Sequence, residues 1–64
     1  MTDEQIEKVL KLAEWHFSKR AYCRREADAA LRDGFEQISD YFRETEKFHL
    51  SSAQLLETIA GGEG

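Results

Sequence analysis

The sequence predicts an all-α protein, a helical hairpin in which a long first helix is followed by a second helical arm that folds back on it. Three observations favour this fold. The 64-residue chain has no proline, its apolar residues recur at helical spacings of three and four, and three helix-start signatures divide it. We expect helices over residues 3–32, 35–49 and 52–60. They form one domain, residues 1–60, followed by a flexible tail, residues 61–64.

Capping boxes predict where two of these helices begin. Thr2 has the hydroxyl of a favourable N-cap residue, and Gln5 stands at the third helical position, from which its side chain reaches back to the cap. Ser51 and Gln54 repeat the arrangement before the third helix. Each start is flanked by apolar residues spaced as a hydrophobic staple, which strengthens both predictions.

A reversal of the chain is predicted at Asp33 and Gly34. Glycine adopts backbone conformations that other residues avoid, and Asp33 with Glu36 forms a further capping box. The alternative is one straight helix in a coiled coil, because the heptad pattern continues through Gly34 and a helical glycine costs only about 1 kcal/mol. We favour the turn because the Asp-Gly pair carries its own helix-start signal.

The apolar residues form more stripes than a single hairpin can bury. The first helix has a predicted buried face at Ile6, Leu10, Ala13, Phe17, Ala27 and Leu31 and a second line at Leu12, Trp15 and Tyr22. The second arm has stripes at Phe35, Ile38, Phe42, Leu56 and Ile59 and at Tyr41, Phe48 and Leu55. Since a hairpin buries one stripe per helix, the remaining apolar residues predict an interface. We expect a homodimer resembling a four-helix bundle, with partner contacts at Trp15, Tyr22, Tyr41, Phe48 and Leu55.

The composition indicates in which cellular compartment the protein is expected and which class of function is disfavoured. The net charge of −4 argues against a dedicated nucleic-acid-binding protein, which usually presents a strongly basic face. The lone Cys23 excludes an internal disulfide and is more typical of a small core residue in a reducing compartment. The sequence contains neither a signal-peptide pattern nor an apolar run that could cross a membrane. We therefore expect a cytoplasmic protein.

The sequence contains no motif that indicates catalysis or a cofactor. It has no phosphate-binding glycine loop and no H-E-x-x-H, and a thin hairpin is not expected to form a pocket of the ~300 Å³ that a small molecule needs. We therefore expect a non-enzymatic regulatory protein that binds and modulates another protein. The acidic residues Glu36, Asp40 and Glu44 would steer a basic partner toward it.

One alternative is an RNA- or DNA-binding hairpin. Lys19, Arg20, Arg24 and Arg25 interleave with Tyr22, and cations among aromatic rings can hold a nucleic-acid backbone while the rings stack on bases. The competing interpretation pairs the arginines with nearby carboxylates, in contacts that are each worth only ~0.3 kcal/mol.

The other alternative is a metal-binding bundle. Glu46 and His49 form an E-x-x-H pair, and folding at Asp33-Gly34 is predicted to bring His16 level with His49. Helical carboxylate sites use such pairs on facing helices. The competing interpretation is an interior histidine, with Glu46 paired to Arg43 or Lys47.

Overall fold

Two antiparallel helices make up the structure. The computed structural model describes residues 1–61, with α1 at Asp3–Arg32 and α2 at Glu36–Ala60. The molecule measures 48 × 15 × 11 Å. The predicted hairpin is confirmed and the single straight helix is wrong. Neither helix is long and apolar enough to cross a membrane. Of the predicted tail, Gly61 is the C-cap of α2, and the other three residues lie outside the described part of the chain.

The start of α1 is fixed by the predicted capping box. The Thr2 hydroxyl accepts a hydrogen bond from the Gln5 amide at 3.1 Å, and the Thr2 amide donates to the Gln5 side chain at 2.9 Å. Asp3 and Glu4 occupy the first turn, where negative charge is stabilised by the helix dipole. The predicted boundaries of this helix, residues 3–32, are confirmed.

The turn is a Schellman motif rather than a second capping box. Gly34 has a positive φ of 87°, and its amide donates to the Leu31 carbonyl at 3.1 Å. The amide of Phe35 donates to the Ala30 carbonyl at 2.8 Å. These two bonds satisfy the last carbonyls of α1. The predicted capping box at Asp33 is therefore wrong: Asp33 caps the end of α1, and Phe35 precedes α2 without a side-chain cap.

The second arm is one helix, and the predicted break between residues 49 and 52 is wrong. Ser51 lies inside α2, which runs from Glu36 to Ala60 without a glycine or proline. Serine within a helix costs only about half a kcal/mol. The residues that face α1 continue at helical spacing through this segment, so packing against α1 outweighs the capping signal.

The helices meet along a seam of residues spaced three and four apart. The α1 side consists of Ala13, His16, Arg20, Cys23, Ala27 and Ala30, and the α2 side of Ser39, Phe42, Glu46, His49, Ala53, Leu56 and Ala60. Within residues 1–61 every buried side chain is an alanine, a serine or a cysteine. Small residues let the two backbones approach closely. The Ser39 hydroxyl consequently donates to the backbone carbonyl of Ala27 across the seam, at 2.9 Å.

The predicted buried faces are confirmed at their small residues and in part at Phe42 and Leu56, which lie on the seam and are partly buried. Ala13 and Ala27 are buried, whereas Leu10 and Leu31 are about half exposed. In the second arm Phe35, Ile38 and Ile59 are likewise exposed rather than buried. Because alanines bring the helices close together, the larger side chains of the seam are only partly buried, and the remaining large apolar side chains lie along its edges.

Candidate functional site: an aromatic face over a histidine layer

One broad side of the hairpin is apolar and uncovered. We call it the aromatic face. It consists of Leu12, Trp15, Tyr22, Ile38, Tyr41, Phe48, Leu55 and Ile59, each between 45% and 65% exposed. All five residues predicted as partner contacts belong to it.

Both helices contribute to this same side. Leu12 directly precedes a seam residue of α1, and Ile38 and Ile59 directly precede seam residues of α2. In an antiparallel helix pair such positions border the same edge of the seam. Ring contacts across the helices agree with this placement. Trp15 lies edge-on to His49 of α2 with ring centres 5.7 Å apart, and Tyr22 lies edge-on to Phe42 at 6.4 Å.

Two histidines form a layer of the seam beneath the aromatic face. The Nδ1 atoms of His16 and His49 are 2.8 Å apart, which is hydrogen-bond distance. One imidazole must therefore donate its Nδ1 proton while the other accepts with its lone pair. Trp15 and Phe48 flank the pair, with ring centres 4.9 and 6.1 Å from that of His16. The predicted alignment of His16 with His49 is confirmed.

Burial lowers the pKa of His49, because the seam disfavours the charged imidazolium. The neighbouring His16 and Lys19 act in the same direction, since each can place positive charge nearby. His49 is therefore held neutral to lower pH than an imidazole in water.

The next layer of the seam is an ion pair. Arg20 Nε lies 3.6 Å from Glu46 Oε2, and this buried nitrogen has no hydrogen-bond partner within the described residues. The predicted pairing of Glu46 with Arg43 or Lys47 is wrong, because those cations pair with Asp28 at 3.7 Å and with Glu44 at 3.9 Å.

The metal ligands of the alternative prediction are only partly brought together. His16 and His49 touch each other, whereas Glu46 is directed to Arg20 in the next layer. Across residues 1–61 no group of three or more His, Cys, Asp or Glu side chains could hold a metal ion.

The four cations of the predicted nucleic-acid surface point in different directions. Lys19 lies over the rings of Trp15 and Tyr22, with its Nζ 5.5 and 6.0 Å from their centres. Arg20 belongs to the seam, and Arg24 and Arg25 are exposed elsewhere around α1. They do not form one patch in this conformation.

The predicted acidic residues form a line along the outside of α2. Glu36, Asp40 and Glu44 follow one another at spacings of four, so they stack along one side of the helix. Asp40 directly follows the seam residue Ser39, so the line begins at the edge of α2 that faces away from the aromatic face. It reaches the outer side of α2 at Glu44, and only this end of the acidic stripe comes near Tyr41 and Phe48.

The hairpin also has a surface hollow that the sequence did not predict. Its volume is about 580 Å³, and it is lined by Asp40, Arg43, Glu44, Glu46, Lys47 and Leu50. The hollow is open to solvent and is not the enclosed pocket that a small molecule needs. All six residues come from α2, so one helix alone provides the walls and the hollow is an open groove.

Cys23 is a buried seam residue, as predicted for a small core side chain. Burial raises the pKa of its thiol, with the nearby Glu46 adding to the effect and Lys19 opposing it. The thiol is therefore protonated at neutral pH, and a protonated thiol is a poor nucleophile.

The contact between His16 and His49 was predictable from helical spacing. The position of this layer directly beneath the aromatic face was not. The signal that would have located the seam is the run of small residues at spacings of three and four, since closely packed helices require small side chains at their contacts.

Comparison with protein-family models, curated proteins and solved structures finds no match.

Proposed function

We propose that this protein is a non-enzymatic interaction protein that pairs with a second copy of itself through the aromatic face. The acidic stripe on α2 then receives a basic surface of another protein. The observation that carries the proposal is the inversion of residue size, with small side chains inside the hairpin and large apolar ones outside it.

The seam leaves the isolated hairpin with little hydrophobic stabilisation. Fully burying a leucine or phenylalanine contributes about 1.5–3 kcal/mol, yet none of the large apolar residues in the described chain is fully buried. Chains of this size usually require a disulfide, a metal or self-association in addition to their core. The single cysteine excludes an internal disulfide. Self-association supplies what the seam lacks.

The aromatic face is large enough for this role. Fully buried aromatic side chains lose 150–250 Å² each, so eight half-exposed apolar residues offer roughly 700 Å². A standard interface buries about 800 Å² on each partner, and the largest apolar patch of a typical monomer is about 300–600 Å². A second copy fits the face because an apolar patch is complementary to itself in a symmetric dimer.

The acidic stripe suits a different occupant. Two copies joined by their aromatic faces leave the outside of each α2 accessible, with Glu36, Asp40 and Glu44 aligned on it. A line of carboxylates attracts a basic partner and raises the association rate. The chain's net charge of −4 acts in the same direction.

A matched pair of variants tests the self-association. Leu55 and Leu10 stand at the same level of the hairpin on opposite broad sides, and both are substantially exposed, by 61% and 45%. Leu55→Glu buries a charge in the proposed interface and should convert the dimer to a monomer. Leu10→Glu should leave it dimeric. Light scattering coupled to size-exclusion chromatography measures both, and an equal mass for the two variants would contradict the proposed surface.

A second pair of variants tests the acidic stripe. Glu36→Gln/Asp40→Gln/Glu44→Gln removes three charges from the stripe, and Glu4→Gln/Glu7→Gln/Glu14→Gln removes three from α1. A protein partner cross-linked by the wild type should be lost with the first triple variant and kept with the second. Equal retention would show that the stripe is an ordinary solvated surface.

A further inference from the structure

The unusual feature of the seam is a hydrogen bond between two imidazoles, with one proton between their Nδ1 atoms. The other layers contain small residues, a hydroxyl bonded to a carbonyl, a cation beside an anion, or the partly buried Phe42 and Leu56. Only the layer of His16 and His49 joins two groups that can each become positively charged, with their Nδ1 atoms 2.8 Å apart.

The pair can accept one proton without losing its hydrogen bond. The donating imidazole takes that proton on its outer Nε2, and its Nδ1–H bond then becomes charge-assisted and stronger. A second proton must go to the Nδ1 that accepts the bond. The layer then holds two N–H groups aimed at each other and two like charges in contact.

The surroundings do not neutralise that second charge. From α1, Lys19 and Arg20 face the layer, and both are cationic. From α2 the facing anion is Glu46, which is already paired with Arg20 at 3.6 Å. Trp15 and Phe48 cover the layer from the aromatic face and limit its hydration. Like charges in a partly desolvated site repel strongly.

We propose that the His16–His49 pair is a pH-sensitive switch that holds the hairpin closed above about pH 6.5 and opens it at this layer in mild acid. Because Trp15 and Phe48 contact the two imidazoles, opening of the hairpin at this layer also moves these two residues of the aromatic face apart. The effect on self-association rests on the proposed function; the opening of the hairpin does not.

The sign and the size of the effect follow from proton linkage. An imidazole in the unfolded chain takes up its proton near pH 6.5, whereas burial lowers the pKa of His49 in the folded chain. The contribution of the neutral His49 to the free energy of unfolding is therefore fully present above about pH 6.5. It is lost as the pH falls from there to the lowered pKa. One proton taken up on unfolding reduces the folding equilibrium constant by at most about tenfold per pH unit.

The chain allows a clean test because it contains only two histidines. His16→Gln/His49→Gln keeps hydrogen-bonding groups of similar size that take up no proton in this range. Urea unfolding followed by circular dichroism, in buffers with EDTA, gives the folding constant between pH 8 and pH 5.5. The wild type should lose up to about tenfold per pH unit below pH 6.5, while the double variant stays nearly constant because its carboxylates remain ionised.

Two further measurements keep the result interpretable. If the double variant does not fold, His49→Gln alone should still weaken the pH dependence, since it removes one of the two imidazoles whose joint protonation opens the layer. In the Leu55→Glu background the loss should persist, which separates the switch from self-association. Equal pH dependence in the wild type and the histidine variants would overturn the proposal, as would imidazole ¹⁵N spectra in which both histidines titrate at the ordinary pKa while the helices stay packed.

Discussion

The seam and the aromatic face use residue size in opposite ways. Along the seam, alanines and a serine bring two helices together, with Ala53 completely buried. On the aromatic face, tryptophan, tyrosine, phenylalanine, leucine and isoleucine are about half exposed. The difference separates two tasks in one short chain: the seam sets the geometry of the hairpin, and the face holds the apolar area from which further stabilisation can come.

The largest effect is expected from enlarging the seam. Ala53→Leu inserts a branched side chain where the helices touch, and overpacking of this kind costs typically 1–3 kcal/mol. Ala21→Leu is the control, because Ala21 lies in α1 outside the seam and leucine and alanine have similar helix propensities. Urea unfolding should show a clear loss of stability for the first variant and little change for the second. Equal midpoints would mean that the helices are not closely packed.

The turn offers the next test. Gly34 has a positive φ and open space where a Cβ would stand, so Gly34→Ala is opposed by backbone conformation alone, at about 1–2 kcal/mol. Gly61→Ala is the control because Gly61 has an ordinary helical backbone conformation. Thermal unfolding should separate the two variants by several degrees. A tolerated alanine at position 34 would contradict the Schellman turn.

A smaller effect is expected from the hydroxyl that crosses the seam. Ser39→Ala removes the bond to the Ala27 carbonyl and should cost about 1 kcal/mol. Ser51→Ala should be neutral or slightly stabilising, because Ser51 is exposed within α2 and alanine is the better helix former. The second variant also checks the correction to the sequence prediction. If Ser51 capped a separate helix, its loss would be as costly as that of Ser39.

Local signals predicted much of this fold from the sequence. The capping box of Thr2 and Gln5 depends only on neighbouring residues, and so does the reversal at Gly34. The predicted helix break at Ser51 was wrong because tertiary contacts outweighed a local signal. Ser51 resembles a helix cap but lies in a continuous helix, because the seam residues on both sides of it pack against α1.

The candidate site shows the same division. The exposed aromatic lines and the match of His16 with His49 follow from helical spacing once a hairpin is assumed. The buried stripe was predicted by hydrophobicity, so Leu10 and Leu31 were placed inside the hairpin. Which stripe becomes buried depends on how closely the helices approach, and small residues, rather than the most apolar ones, determine that distance.

The self-association that we propose would make the stability of the hairpin depend on its concentration. Sedimentation equilibrium of the wild-type chain at pH 7.5, over micromolar concentrations, measures directly whether two copies associate. We expect a particle of twice the 7.4 kDa chain mass, with an unfolding midpoint that rises with protein concentration. A mass of 7.4 kDa throughout, with a folded chain and a midpoint independent of concentration, would contradict it.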